Sequence, residues 1–426
     1  MEVYGYPGIV TITIRVSSFL LAKTYGDLIK LLIFATSSEV EEHSEGKEII
    51  SLYLKKPGNV SITTVAADYH KNYCKKSIPM KVSTINFQSV FETAFGSTAN
   101  SSKDLLNGLK VKRNDTWYLV GNLARKGGVN PGRITNASPQ EEDFDILFRA
   151  ALINIADKIQ PPLAITMGFP FSTYNVYKAA AENFLLKRHF IVEYDTQTFN
   201  IKGSVKKAMF DIEKFEIIPE IVGCIIGLKK VLNLSPEENF IAISLGFGTV
   251  EGGLATTDGL VHRTCFSSHG IRYVINNLYR ELSQSYYLEM KNEHQLDDAF
   301  VKGSIFTNRK KIDLTDIRKN ILLQYYKEVI SPLFKNYFTD MDFENCNKIY
   351  LMGGGAYYHE LTDIIVNDFK DFIPVEIAPQ PENLASIGYL YNSLRISDNY
   401  QRRCAGIDLG NSTSIISYFE ENGTAQ

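Results

Sequence analysis

The hydrophobic pattern changes period repeatedly along the chain. Short apolar runs bounded by glycine or proline alternate with longer stretches in which apolar residues recur at helical spacing. Three of the short runs, Pro162–Met167, Phe240–Ser244 and Lys348–Met352, are nearly unbroken. A strand reads this way when both of its faces are buried, because neither can then carry polar side chains. Lys81–Phe87, Trp117–Val120, Phe190–Tyr194 and Val375–Ile377 read as further strands. Helical spacing marks Asp143–Ile159, Val176–Lys187, Glu220–Leu234, Ile271–Met290, Leu314–Tyr337, Tyr358–Phe369 and Leu384–Leu394. The alternation predicts an α/β fold with helices covering largely parallel sheets.

Residues 1–76 are harder to place. Alternation at Ile9–Ile14 predicts a strand, a mixed helical run follows, and a polar patch covers Ser37–Lys47. A strand pair is expected around Ile49–Tyr53 and Val60–Val65. The segment reads either as an independent layer or as a partner for the run 415–419. Ile9–Ser37 is apolar, but Arg15, Lys23, Asp27 and Lys30 interrupt it, short of the roughly 18 residues a membrane span needs. Glu2 rather than a basic stretch follows Met1, so no signal peptide, no membrane partner and a cytoplasmic location are expected.

Composition narrows the picture only a little. With 426 residues, 44% hydrophobic and 22% charged, the chain fits one to three ordinary globular domains. A net charge of -3 leaves no global electrostatic footprint for direct nucleic-acid binding. The five cysteines show no CxxC spacing, which fits reduced thiols better than a disulfide frame or a zinc site.

Glycine supplies the candidate chemistry. Three buried runs end in Asp408-Leu-Gly-Asn-Ser-Thr-Ser, Ser244-Leu-Gly-Phe-Gly-Thr and Met352-Gly-Gly-Gly. A glycine turn after a buried strand lets backbone N–H groups approach phosphate oxygens, since no Cβ stands in the way. One such turn is commonplace; three at strand ends in one chain are rare. Glu220, after Pro219 at a helix start, is either a carboxylate favoured by the helix dipole or a general base.

Together these segments resemble the actin-like ATPase superfamily of actins, chaperone ATPases and sugar kinases, most nearly the ParM/StbA-type actins of plasmid segregation. GIDLGNSTSIISY is similar to the first phosphate hairpin of that family, ISLGFGTVEGGL to the second and IYLMGGGAYY to the adenosine motif. ITMGFPFSTY and IIPEIVG are similar to the connecting segments, and Trp117–Ala124 to a stretch of the N-terminal half. The resemblance covers residues 77–426. It implies two actin-like (ribonuclease H-like) domains around a nucleotide cleft, one formed by 77–239 with 381–426 and the other by 240–380, with 1–76 a segment or insertion outside both.

The resemblance also implies the cofactors ATP and Mg2+. Asp408 would hold the metal through water. Gly410, Asn411, Ser412 and Thr413 would cradle phosphates from one side, and Gly246, Phe247, Gly248 and Thr249 from the other. Glu220 would orient the attacking water, and Gly353, Gly354 and Gly355 would lie along the ribose and α-phosphate. The second hairpin of the family begins with an aspartate, replaced here by Ser244; a family lysine seven residues past the first aspartate is here Ile415. ATP binding with slow hydrolysis is therefore expected. The implied function is a filament-forming cytomotive ATPase that self-associates and is linked to DNA by an adaptor; the alternative is a weakly hydrolysing, nucleotide-gated scaffold that recruits partners without polymerising. In the family the first hairpin opens the fold, whereas here it follows the final helix, after the polar segment Arg395–Arg403. A circular permutation is expected, cut after the turn Glu421-Asn422-Gly423.

Overall fold

A computed structural model describes residues 2–6, 9–15, 47–54 and 59–68, and everything from 80 onward except 96–108, 130, 134–137, 196–204, 287–292, 308 and 422–426. The chain divides into two compact units, Met1–Pro79 and Met80–Gln426. The first contains β1 (Glu2–Tyr6), β2 (Ile9–Arg15), β3 (Lys47–Leu54) and β4 (Asn59–Asp68), antiparallel in the order β1-β2-β4-β3. The alternation at Ile9–Ile14 therefore pairs within its own sheet. The helical run after it, the polar patch before Lys47 and the turn after Glu421 lie outside the described residues.

The second unit holds two large sheets. Leading into them are β5 (Met80–Gln88), β6 (Val90–Thr93), β7 (Leu109–Arg113), β8 (Thr116–Val120), β9 (Gly132–Arg133), β10 (Leu163–Phe169), β11 (His189–Asp195) and β12 (Val205–Pro219). Then come β13 (Phe240–Leu245), β14 (Thr249–Thr256), β15 (Gly259–His269), the hairpin of β16 (Ser304–Thr307) and β17 (Lys310–Asp313), β18 (Lys348–Met352), β19 (Val375–Ile377), β20 (Cys404–Leu409) and β21 (Thr413–Glu421). The larger sheet has ten strands in the order β5-β21-β20-β10-β12-β11-β7-β8-β6-β9; the smaller has five, β15-β14-β13-β18-β19.

One five-strand plan occurs in both. In the smaller sheet β13, β14 and β15 form an antiparallel meander, and β18 and β19 add on in parallel. In the larger, β20, β21 and β5 form the meander, and β10 and β12 add on in parallel. The space is filled alike, but the strands that open the plan in the smaller sheet come last in the chain in the larger one. Glu421 is register partner of Met80, so the end of β21 lies beside the start of β5.

The sheets are thus mixed, where the hydrophobic pattern predicted largely parallel ones. Glycine turns close into tight hairpins and force antiparallel neighbours, and only helical crossovers produce parallel pairs. The helices are α1 (Asn122–Gly127), α2 (Glu142–Asn154), α3 (Phe171–Leu185), α4 (Glu220–Val231), α5 (Ile271–Tyr286), α6 (Glu293–Lys302), α7 (Thr315–Tyr325), α8 (Ser331–Tyr337), α9 (Asp340–Glu344), α10 (His359–Phe369) and α11 (Leu384–Ile396). The single long helix expected over Leu314–Tyr337 is α7 and α8 joined by a π-helical turn, Tyr326–Ile330. Pro332 cannot donate a backbone hydrogen bond, and the ladder widens just before it.

Two cores pack one sheet each, around Phe144, Phe148 and Phe184 in one case and Leu278, Tyr325 and Phe334 in the other. A third, containing Ile221, Leu228, Leu384 and Tyr389, joins α4 and α11. These helices cross backbone to backbone. A Cβ on Gly388 would stand 1.8 Å from the Gly223 carbonyl oxygen, and one on Gly227 2.0 Å from that of Leu384. Glycine is needed at both positions for the crossing to close.

Candidate functional site

The three glycine turns meet in one cleft of about 400 Å³. Gly410, Asn411, Ser412 and Thr413 line it, as do Gly246, Phe247, Gly248 and Thr249, and Gly353, Gly354 and Gly355. Asp408 and Glu220 also line it, as does Ser244. Every residue nominated from the sequence is therefore brought to the same cavity.

Local structure explains how each turn is held. The first links β20 to β21 and is braced by Ser89, between β5 and β6: the Ser89 N–H donates to the Ser412 carbonyl at 3.0 Å, and the Ser89 and Ser414 hydroxyls bond at 2.9 Å. The second lies against the start of α5, where the N–H groups of Gly270, Ile271 and Arg272 donate to the carbonyls of Gly248, Gly246 and Phe247 at 3.1, 3.0 and 2.8 Å. Those hydrogen bonds engage three carbonyl oxygens of the turn, which suits an anion site. The two turns touch, since a Cβ on Gly248 would stand 2.3 Å from Asn411 Oδ1.

The third turn separates structural glycines from a spacious one. Gly353 has a φ of 79°, and a Cβ there would lie 2.7 Å from the Leu245 carbonyl oxygen; one on Gly355 would meet the Leu245 Cβ at 2.8 Å. Both are needed for the turn to rest on β13. A Cβ on Gly354 would meet nothing within 4 Å. The protein's own packing leaves that position open, in a wall of the cleft.

No curated protein matches the chain by sequence. A family model for the N-terminal domain of actin-like proteins matches residues 59–223. That match starts ahead of residue 77, where the motif resemblance begins. Among solved structures, the archaeal actin homolog Ta0583 is 17% identical over 72% of this chain and 92% of its own, with a TM-score of 0.58. The same homolog in complex with ADP gives 15%, 73%, 92% and 0.53. ParM from Clostridium botulinum, solved as a 15-stranded filament, is 18% identical over 82% of this chain and all of its own, with a TM-score of 0.58.

The chain has an actin-like fold, and residues 59–223 match the actin-like N-terminal domain. At this identity the structural likeness is one of fold. Within that fold, acidic groups gather at and behind the cleft. Burial pushes the Asp408 carboxyl up to about 7. Burial, then the charges of Glu251 and Asp408, hold Glu220 well above the usual carboxylate range. Glu251 is completely buried, and burial raises it to about 8 against the opposing pull of the Phe171 N–H. Among the described residues none of the three carboxylates forms an ion pair. Nor does any group of three His, Cys, Asp or Glu there have the spacing of a metal-ligand set. The donor set fits a hard cation that keeps its water, as Mg2+ does, rather than one stripped by several protein ligands.

Sequence reasoning missed part of the actin-like cleft. Asp297, Asp298 and Val301 of α6 line it, as do Gln88, Cys224, Tyr358 and Glu382. In α6 Leu296, Ala299 and Phe300 are buried at helical spacing, so the acid pair on the opposite side was legible once the helix was recognised. Asp298 forms an ion pair with Arg125 of α1, which joins the two sheets' halves at the edge of the cleft.

Proposed function

We propose that this actin-like chain binds ATP with Mg2+ in the cleft and polymerises into filaments of the plasmid-segregation type. The observation that carries the reading is the convergence of all three glycine turns, Asp408 and Glu220 on one cavity. The archaeal homolog solved with ADP and the ParM solved as a filament support the nucleotide and the self-association respectively. Asp408 would hold the metal through water, and the two facing turns would take the β- and γ-phosphates. Bound Mg2+ would offset phosphate charge. Glu220 would orient the attacking water, its raised affinity for a proton suiting a general base. Gly354 leaves room for the ribose and α-phosphate. Residues 77–239 with 381–426 and residues 240–380 would act as the two closing domains, hinged at the crossing of α4 and α11. The chain order is read as a circular permutation, supported by the shared five-strand plan and by Glu421 lying beside Met80. Among the described residues no helix is long and apolar enough to cross a membrane, and we place the protein in the cytoplasm, linked to DNA by an adaptor rather than directly.

Ser244 favours a second reading, a weakly hydrolysing scaffold gated by nucleotide, because a hydroxyl supplies no charge where the family has an aspartate. Light scattering with ATP and Mg2+ separates the two. A rise that reverses when EDTA is added supports the filament; a flat trace at tens of micromolar protein, with nucleotide bound, leaves the scaffold.

A further inference from the structure

The cleft offers a polyphosphate no positive charge of its own. Glu220, Asp297, Asp298, Glu382 and Asp408 line it, and among the described residues no Lys, Arg or His does. Arg125, at its edge, is already paired with Asp298. A run of phosphates in such a cavity must be held by neutral hydrogen-bond donors and by whatever cation accompanies it, since ionised carboxylates only accept. Backbone N–H groups of the glycine turns are one source of donors. A side chain on β5 is another.

Gln88 ends β5 beside the first turn. It is register partner of Thr413 in an antiparallel pair, so the two side chains project from the same face of the sheet. Ile415 comes next on that face and is register partner of Asp408. Gln88, Thr413, Ile415 and Asp408 all line the cleft. Ile415 has no donor to give. The polar neighbours of Gln88 are engaged within the protein: Asn86 Nδ2 donates to Asn383 Oδ1 at 3.3 Å, and the Ser89 hydroxyl bonds that of Ser414 at 2.9 Å. The Gln88 carboxamide itself has no hydrogen-bond partner among the described residues. Solvation of an edge strand explains a polar side chain on β5, as with exposed Lys81 at its other end. It does not explain an amide that stands half-buried against the phosphate turn.

We infer that the cleft binds polyphosphate without any cationic side chain, and that Gln88 is the donor contributed by β5. Its NH2 group hydrogen-bonds a phosphate oxygen held by the first turn. An amide has two N–H donors and no charge, and a hydrogen bond to an anion is stronger than one between neutral groups. This inference rests on the nucleotide-binding reading of the same cleft.

The test titrates full-length parent, Q88A, Q88E and Q88K with ATP in Mg2+, and with adenosine as a ligand that has no phosphate; circular dichroism checks each fold. Q88A should lose about tenfold in ATP affinity, equivalent to about 1.4 kcal/mol. Q88E should lose more, because it adds a further carboxylate to the lining, while adenosine affinity stays within about twofold in both. Q88K should raise ATP affinity in EDTA, where no divalent cation offsets the phosphates. An unchanged ATP affinity in Q88A overturns the inference, as does a loss that adenosine shares, which marks a structural role. If adenosine binds too weakly to titrate, Q88K in EDTA decides: a gain supports the inference and no gain sinks it. A parent that binds no ATP overturns the functional reading instead. The inference is then read with magnesium pyrophosphate: binding to the parent that is lost in Q88E supports it, and equal binding or none sinks it.

Discussion

The buried carboxylates at and behind the cleft make stability of the ligand-free chain fall as pH rises, and Glu251, behind the lining, allows the size to be worked out. Its carboxyl titrates near 4.5 when unfolded and near 8 when folded. Below 4.5 both states hold the proton and the group contributes no difference. Between 4.5 and 8 the unfolded chain releases it while the folded chain retains it, so each pH unit favours unfolding by about 1.4 kcal/mol. Above 8 both are ionised and the loss is complete. The whole window bounds the loss at about 5 kcal/mol; water entering the cleft and small side-chain shifts relieve part of it, leaving about 2–5 kcal/mol. E251Q never ionises and keeps the hydrogen bond from Phe171. Urea denaturation in EDTA, without nucleotide, should therefore give E251Q and parent similar stability at pH 4.5. At pH 8 E251Q should be the more stable by about 2–5 kcal/mol. The carboxylates with lowered pKa, Asp342 among them at about 2, titrate alike in both chains and cancel. Parallel pH profiles, or a parent that is more stable at pH 8, would refute the reasoning.

The remaining predictions test the geometry around the cleft. Gly354→Ala meets no protein atom within 4 Å, so stability should stay within about 0.5 kcal/mol while ATP affinity drops about tenfold or more by titration; unchanged affinity removes the position from the site. Gly388→Ala drives a methyl to 1.8 Å from the Gly223 carbonyl and should cost about 1–3 kcal/mol or more in denaturant unfolding by prising α4 and α11 apart; a neutral result contradicts the close crossing. Arg125→Ala breaks the ion pair with Asp298 and should speed nucleotide release several-fold in a stopped-flow chase, with under about 1 kcal/mol lost from global stability; an unchanged release rate shows that the pair does not restrain the cleft.

How much of this was legible depends on whether the signal was local. Phe240–Ser244, Lys348–Met352 and the run ending at Met167 are buried on both faces, and their unbroken apolar sequence announced β13, β18 and β10. The glycine turns were legible for the same reason, since each is a local departure that only a turn requires. By contrast β12 was not read as a strand, and its Ile217–Ile218 end entered only as part of IIPEIVG. Its first seven residues pair with β11 and are mostly exposed or half-buried, so Val205–Asp211 carries no apolar run. The antiparallel pairing of β21 with β5 was invisible as well, because its register joins residues more than 300 positions apart. The pairing of Ser244 with Glu251 lay between the two cases. Seven residues separate them, and the hairpin that opposes them was recognised, but which face Glu251 occupies follows from the register, not from its spacing to Thr249.

The two five-strand modules separate what a sheet needs from what a chain needs. Strand order in space is set by which edges pair and which faces bury, and it is the same in both modules although the covalent order differs. Covalent order enters only through the connections, which must be long enough and must not cross the core. In the smaller sheet β13 leads the plan; in the larger, β20 occupies the same place after every other strand but β21 has been laid down. The join that permits this is short. Helix α11 ends at Ile396, a turn and a single 3-10 step follow, and β20 starts at Cys404. The Gln160 N–H donates to the Arg402 carbonyl at 2.8 Å, which tacks the join to the loop before β10. Part of the segment that read as linker is thus helix, and the gap it bridges is narrow because α11 already lies on β20: a Cβ on Gly406 would stand 2.1 Å from the Ser386 carbonyl oxygen. Packing of α11 against β20 fixes the hairpin in place before any connection is considered. Asp408 therefore reaches the cleft through strand pairing and helix packing, and its position in the chain order is of secondary importance to the site.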